Sequence, residues 1–199
     1  LVYKIINECK ILDYLNHLIL MDYQLNKKTI FLDRDGVINK EINYLHKIDD
    51  FEFIEGIFEA CDYLQSIGYS IIIVTNQSGI ARNYYKDEDF NILTDWMIAE
   101  FKKNNIDILD IYYCPHGPNS ICKCRKPKPG MLLEAKIEHN IDMKNSWMIG
   151  DKEADIKAAN NAGIKNTILV RSGHNVDESN SKSMFFLDSI QDIKRIILK

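Results

Sequence analysis

The chain has 199 residues, 46% of them hydrophobic and 27% charged, with a net charge of −4. That length and balance suit one α/β domain with a short appendage, and they leave no general positive field for nucleic acid or an anionic membrane surface. No run approaches the roughly 18 uninterrupted apolar residues of a membrane span. The opening residues also lack the apolar core and cleavage site of a secretory leader, so a cytoplasmic location is the expectation. With no evident interface, a monomer is expected.

Residues 1–26 read as a helical extension, because Ile5, Cys9, Leu12, Leu15 and Ile19 recur at helical spacing. The domain proper is expected over 27–199, and a functional start at Met21 is a sharper alternative. Thr29–Leu32 is a buried strand that runs straight into Asp33-Arg34-Asp35-Gly36. Residues 36–56 read as a loop. Ile57, Phe58, Cys61, Leu64 and Ile67 then form a helical stripe closed by Gly68. Ser70–Val74 is a second strand, ending at Thr75-Asn-Gln-Ser-Gly-Ile-Ala-Arg82. Asp87 can cap a helix carrying Phe90, Leu93, Met97 and Phe101, with Trp96 and Met97 as packing residues.

Ile108–Tyr113 is a third strand and leads into Cys114. A helix over Leu132–His139, a strand over Ser146–Ile149, a helix over Ala154–Ala162, a strand over Asn166–Val170 and a last helix over Ile190–Leu198 follow. Strands alternating with helices predict a three-layer α/β/α fold with a parallel sheet.

Polar residues gather just after the strands: Asp33 and Asp35, Thr75 and Asn76, then Asp151 and Asp155, with Lys126 beyond the third strand. In a parallel sheet these ends face one side and can converge. Several carboxylates in one place repel unless a cation sits among them, and oxygen ligands favour Mg²⁺. A lysine and a threonine beside such a cluster point to a phosphate group. Asp155 has two readings: it orients the lysine or metal shell, or it simply complements a helix N-terminus.

Cys114-x-His116, five residues, then Cys122-x-Cys124 offers three thiolates and one imidazole, a closed tetrahedral set for structural Zn²⁺. Disulfide pairing is the alternative and suits a reducing compartment poorly. His17, His46, His139 and His174 have no comparable setting and read as surface residues.

Asp33-x-Asp35, Thr75-Asn76, Lys126 and Gly150-Asp151-x-x-x-Asp155 resemble, in order, the four motifs of the haloacid dehalogenase (HAD) superfamily of phosphatases. The resemblance implies Asp33 as nucleophile and Asp35 as general acid and base, with Thr75 and Lys126 stabilising the transferring phosphoryl group. It places Mg²⁺ on Asp33, the Asp35 carbonyl and Asp151. Asp33-Arg-Asp-Gly-Val-Ile-Asn39, Thr75–Arg82, the cysteine loop and Cys124-Arg-Lys-Pro-Lys-Pro-Gly-Met131 are similar to the heptose 1,7-bisphosphate 7-phosphatase branch. That branch works in bacterial synthesis of activated heptose for surface polysaccharide.

The branch implies substrate contacts at Asp33, Arg34, Asp35, Glu41, Ile42, Asn43, Tyr44, Thr75, Asn76, Gln77, Ser78, Arg125, Lys126 and Lys152. Arg125 and Lys152 would meet a second phosphate on the sugar. Asn83 stands where the branch usually has glycine, and it tolerates a left-handed turn. The His116–Cys122 gap equals that of histidinol-phosphate phosphatases, which are the alternative; a polynucleotide 3′-phosphatase and a silent zinc-stabilised module are further ones. The intervals Asp33–Thr75 and Thr75–Lys126 are too short for a large cap, so an open site is expected.

Overall fold

The computed structural model describes residues 27–198. The expected N-terminal helix, the Met21 start and His17 lie outside them. Six parallel strands form one sheet in the order β3-β2-β1-β4-β5-β6. They are β1 (Thr29–Leu32), β2 (Ser70–Asn76), β3 (Ile108–Cys114), β4 (Trp147–Gly150), β5 (Asn166–Val170) and β6 (Phe185–Leu187). The helices are α1 (Ile57–Ser66), the single turn α2 (Ser78–Ala81), α3 (Asp87–Lys103), α4 (Gly130–His139) and α5 (Glu153–Ala162).

Strand alternation sorts the core into two layers. Ile30, Leu32, Ile71 and Ile73 face α1 and α3, where they meet Leu64, Met97 and Phe101. Phe31, Ile72, Val74 and Met148 face α4 and α5, where they meet Leu132, Ala135 and Ala159. A strand buried on both faces must be apolar throughout, which is why β1 and β2 read as unbroken runs instead of alternating ones. Cys61 is fully buried in the first layer. Trp96 packs at 5.2 Å against Phe51 and at 5.7 Å against Phe53, so it is a packing residue that anchors the 36–56 loop.

The chain order reverses between β1 and β4, which are neighbours in the sheet. Such a switch point splays the loops apart and leaves a crevice at the strand C-termini. Asp33 leaves β1 and Asp151 leaves β4 on either side of it.

Three elements differ from the sequence reading. The strand β6 was not expected: it has only three residues and follows a long polar loop, so no periodicity marks it. The last helix is instead a 3-10 segment over Ile190–Arg195, where Ile190 and Ile193 are buried. Spacing by three suits that tighter winding. The turn α2 follows β2 directly, within the stretch read as a strand exit. Asn83, which follows α2, takes φ +57 as its chemistry allows.

Phe31 has no exposed surface at the centre of the sheet. Phe31→Ala is expected to cost about 3–5 kcal/mol of stability, read as a lower urea midpoint with an unchanged slope.

Candidate active site

Asp33 follows the last residue of β1, and its main-chain N–H donates to Ile149 O at 3.0 Å, locking the strand exit to β4. Gly36, the residue directly after the second acid, has φ +85, and a Cβ there would stand 2.4 Å from Asp151 Oδ2. Only glycine supplies both the turn and the clearance.

Lys126 is the hub of the site. Its buried ammonium lies 2.9 Å from Asp33 Oδ1 and 2.7 Å from Asp155 Oδ1, and donates to Val74 O at 2.7 Å. Burial alone would push the Lys126 ammonium down, but Asp155 and Asp33 override it and hold the pKa above the ordinary lysine value. Asp33 is itself pushed up to about 8 by burial, with Lys126 pulling against this and Asp155, Asp151 and Asp35 adding to it. Asp155 combines both of its readings: Oδ1 holds Lys126, while Oδ2 accepts the Lys152 main-chain N–H at 3.0 Å and caps α5.

Two devices bring Lys126 there. The Asn76 amide grips its backbone from both sides, Lys126 N donating to Asn76 Oδ1 at 3.1 Å and Asn76 Nδ2 donating to Lys126 O at 3.2 Å. The cysteine loop supplies the approach. Cys114 Sγ lies 3.8 Å from Cys122 Sγ, 3.0 Å from Cys124 Sγ and 3.5 Å from His116 Nδ1, and Cys124 Sγ lies 3.3 Å from that nitrogen. Tetrahedral Zn²⁺ with bonds of about 2.3 Å to sulfur separates its sulfurs by about 3.8 Å. The Cys114–Cys122 pair stands at that spacing and Cys124 lies closer; the four residues suit a closed structural zinc site, and none of the described cysteines is in a disulfide. Arg125 Nη1 donates to His116 O at 3.1 Å, so zinc-loop backbone aims that guanidinium.

Asp35 is held by three neighbours. Arg34 forks onto it through Nε at 3.1 Å and Nη2 at 2.9 Å, Asn39 Nδ2 donates at 3.0 Å, and Gln77 Nε2 donates at 3.2 Å. Gln77 Nε2 also donates to Thr75 Oγ1 at 2.8 Å, while its Oε1 accepts from Tyr85 OH at 2.5 Å. Tyr85 thereby fixes which end of the amide faces the acids. Thr75, used as an acceptor, keeps its own hydroxyl proton free to donate.

These groups wall a cavity of about 280 Å³. Asp33, Asp35, Glu41, Ile42, Asn43, Tyr44, Thr75, Asn76, Gln77, Ser78, Arg125, Lys126 and Lys152 all line it. Arg34 does not: its side chain is 2% exposed and spends its guanidinium on Asp35 and the Leu45 carbonyl. Lys152 lies 3.4 Å from Glu41 across the mouth. Tyr44 packs edge-on against Tyr84 at 4.7 Å with Arg82 over its ring, tying the 41–45 loop to the segment after α2.

The described histidines are not simple surface residues. His46 stacks on Tyr85 at 5.0 Å, and His139 Nε2 lies 2.7 Å from Asp110 Oδ2. His174 lines the cavity, with Nδ1 2.6 Å from Asp151 Oδ2. It follows β5, so the strand-end logic that picked out the acids could have found it. Nothing in sequence marks Tyr85, which reaches Gln77 through a turn.

The donors suit a divalent ion. Oxygens of Asp33, Asp151 and Asp155 lie within 4.8 Å of one another. Ionised together, the three carboxylates outnumber the Lys126 ammonium by two charges, and Asp151 Oδ1 is buried with no hydrogen-bond partner among the described residues. A hard dication answers both. Asp155 is already committed on both oxygens, so Asp33 and Asp151 are the side chains left to hold it.

A HAD-hydrolase-like family model matches residues 123–193. The D-glycero-alpha-D-manno-heptose-1,7-bisphosphate 7-phosphatase of Campylobacter jejuni is 55% identical over 146 residues, 73% of this chain and 84% of its own length. The D-glycero-beta-D-manno-heptose-1,7-bisphosphate 7-phosphatase of Pasteurella multocida is 47% identical over 178 residues, 86% of this chain and 97% of its own. Among solved structures, the D,D-heptose 1,7-bisphosphate phosphatase from B. bronchiseptica, complexed with magnesium and phosphate, has a TM-score of 0.74 and 28% identity over 84% of this chain and 96% of that one.

Because Asn76 and the buried acids hold Lys126 independently, loss of zinc should displace Arg125 more than Lys126. Cys122→Ser is expected to raise KM about 10-fold while kcat stays within a few-fold, with zinc content by metal analysis falling from one per chain. An equal loss in kcat and kcat/KM would assign the loop to the chemical step.

Proposed function

The chain belongs to the D-glycero-D-manno-heptose 1,7-bisphosphate 7-phosphatase family of HAD hydrolases, and we propose that it removes the C7 phosphate of that sugar bisphosphate through an aspartyl-phosphate on Asp33. The observation that carries this reading is the pairing of a buried Asp33, gripped by Lys126, with an oriented Asp35 on the wall of the same cavity. Nucleophile and proton donor on one strand exit, with a fixed ammonium against the nucleophile, is what phosphoryl transfer requires.

In the first half, an Asp33 oxygen attacks phosphorus as the bond from phosphorus to O7 breaks, and Asp35 gives its proton to the departing alkoxide. In the second, Asp35 takes a proton from the water that attacks the same phosphorus; inorganic phosphate leaves and Asp33 returns as a carboxylate. The Lys126 ammonium and the free Thr75 hydroxyl proton meet charge on the phosphoryl oxygens. Mg²⁺ held by Asp33, the Asp35 carbonyl and Asp151 would neutralise charge in transfer and screen the anionic substrate from the acids. Arg125 and Lys152, at the cavity mouth, suit the second phosphate. Arg34 contributes from behind the wall, fixing Asp35 in place of touching sugar. The reaction supplies a heptose 1-phosphate, the form a nucleotidyl-transfer step consumes on the way to surface polysaccharide.

Phosphate release from α- and β-heptose 1,7-bisphosphate, histidinol phosphate and a 3′-phosphorylated oligonucleotide tests the substrate class. A heptose bisphosphate is expected to have the highest kcat/KM; preference for either of the others would overturn the assignment. Asp33→Asn is expected to lower kcat by on the order of 10⁴-fold or more with zinc content unchanged. It should also leave the metal-free protein at least as stable at pH 8, since one buried acid is gone. Near-normal turnover in that variant would remove Asp33 as the nucleophile.

A further inference from the structure

Asp151 sits between two loops that leave almost no room for its carboxylate to turn. A Cβ on Gly36 would stand 2.4 Å from Oδ2, and one on Gly173 would stand 2.1 Å from it. Ser172 Oγ donates to Gly36 O at 2.7 Å and ties these loops together behind the carboxylate. Into this slot His174 brings Nδ1 to 2.6 Å from Oδ2. Oδ1 on the other side is buried and has no partner among the described residues. The two oxygens of one carboxylate are therefore unlike: one is engaged by an imidazole, and one is kept bare.

We propose that His174 is a positioning residue for the divalent-cation site. By occupying Oδ2 it commits Asp151 to binding through Oδ1 alone. The inference rests on the reading of Asp151 as a metal ligand. An ionised carboxylate can only accept, so Nδ1 carries the proton in this contact. The consequence concerns which cation fits. Mg²⁺ needs near-ideal octahedral geometry with short bonds, which a carboxylate meets through one oxygen; Ca²⁺ takes more ligands at longer distance and readily uses both oxygens. A carboxylate with one oxygen taken favours Mg²⁺, and freeing the second removes that bias. Glu41, whose Oε2 lies 3.7 Å from the same Nδ1, links this post to the substrate-facing loop.

His174 has 42% of its side chain exposed, so replacing it is compatible with folding. The test is calorimetric titration of the zinc-loaded full chain with Mg²⁺ and with Ca²⁺, without substrate. His174→Ala is expected to weaken Mg²⁺ binding about 10–100-fold, with a smaller loss for Ca²⁺. His174→Asn, whose amide nitrogen stands near the place of Nδ1, is expected to restore Mg²⁺ binding; His174→Gln, whose amide reaches toward the Nε2 place, is not. Asp151→Asn is the control for the underlying reading. If Asp151→Asn binds Mg²⁺ as the native chain does, the metal-ligand reading falls and this inference falls with it. If Asp151→Asn loses Mg²⁺ while His174→Ala keeps native affinity and native Mg²⁺ preference, or if Asn and Gln at 174 behave alike, the role of His174 is overturned and the metal site stands.

Discussion

One buried ammonium organises this molecule. Lys126 lies between Asp33 and Asp155 with its third donor on a β2 carbonyl. Taking such charges out of water costs several kcal/mol per ion, recovered only when each finds partners in good geometry. That requirement explains features that otherwise look unrelated. Asp155 must both cap α5 and receive the lysine. Asn76 must hold the lysine backbone in place. The chain between β3 and α4 must arrive at one point, although it has no regular structure of its own.

The same accounting explains why the site stores tension. Lys126 answers one of the three acids it stands among, and Asp35, the remaining acid of the pair, is satisfied from behind by Arg34. With the acids ionised, two charges and one bare oxygen are left on a rigid frame of strand exits, where relaxation is blocked by neighbouring backbone. A site poised for an anion and a dication is arranged by a fold that cannot quiet it alone, which is the usual trade between stability and function.

Much of this could be read from residue order. The apolar runs before Asp33, Thr75 and Asp151 marked strand ends, and parallel strands bring their ends together, so convergence needed no structure. The cysteine spacing was equally legible, because chelation depends on residue types at short range. What escaped depended on side-chain direction or on weak local signal. Arg34 looks like a cavity residue in sequence, yet its fork geometry prefers the carboxylate next door. His174 carries no motif beyond its place after β5, and the adjacency of β4 and β5 brings it to Asp151. The strand β6 is three residues long and the last helical stretch winds as 3-10, both too slight for periodicity to resolve.

The two-sided amide grip of Asn76 on the Lys126 backbone has a consequence for how such a molecule can change. It acts as a datum: whatever path the chain takes from Cys114 to Arg125, its end is returned to the same place. Insertions or deletions in that path are absorbed before they reach the reacting atoms. The loop is therefore free to drift in length and to present different groups to the far end of a substrate, while the chemistry behind the datum stays fixed. Diversification of what is recognised and preservation of what is done are assigned to two sides of a single asparagine.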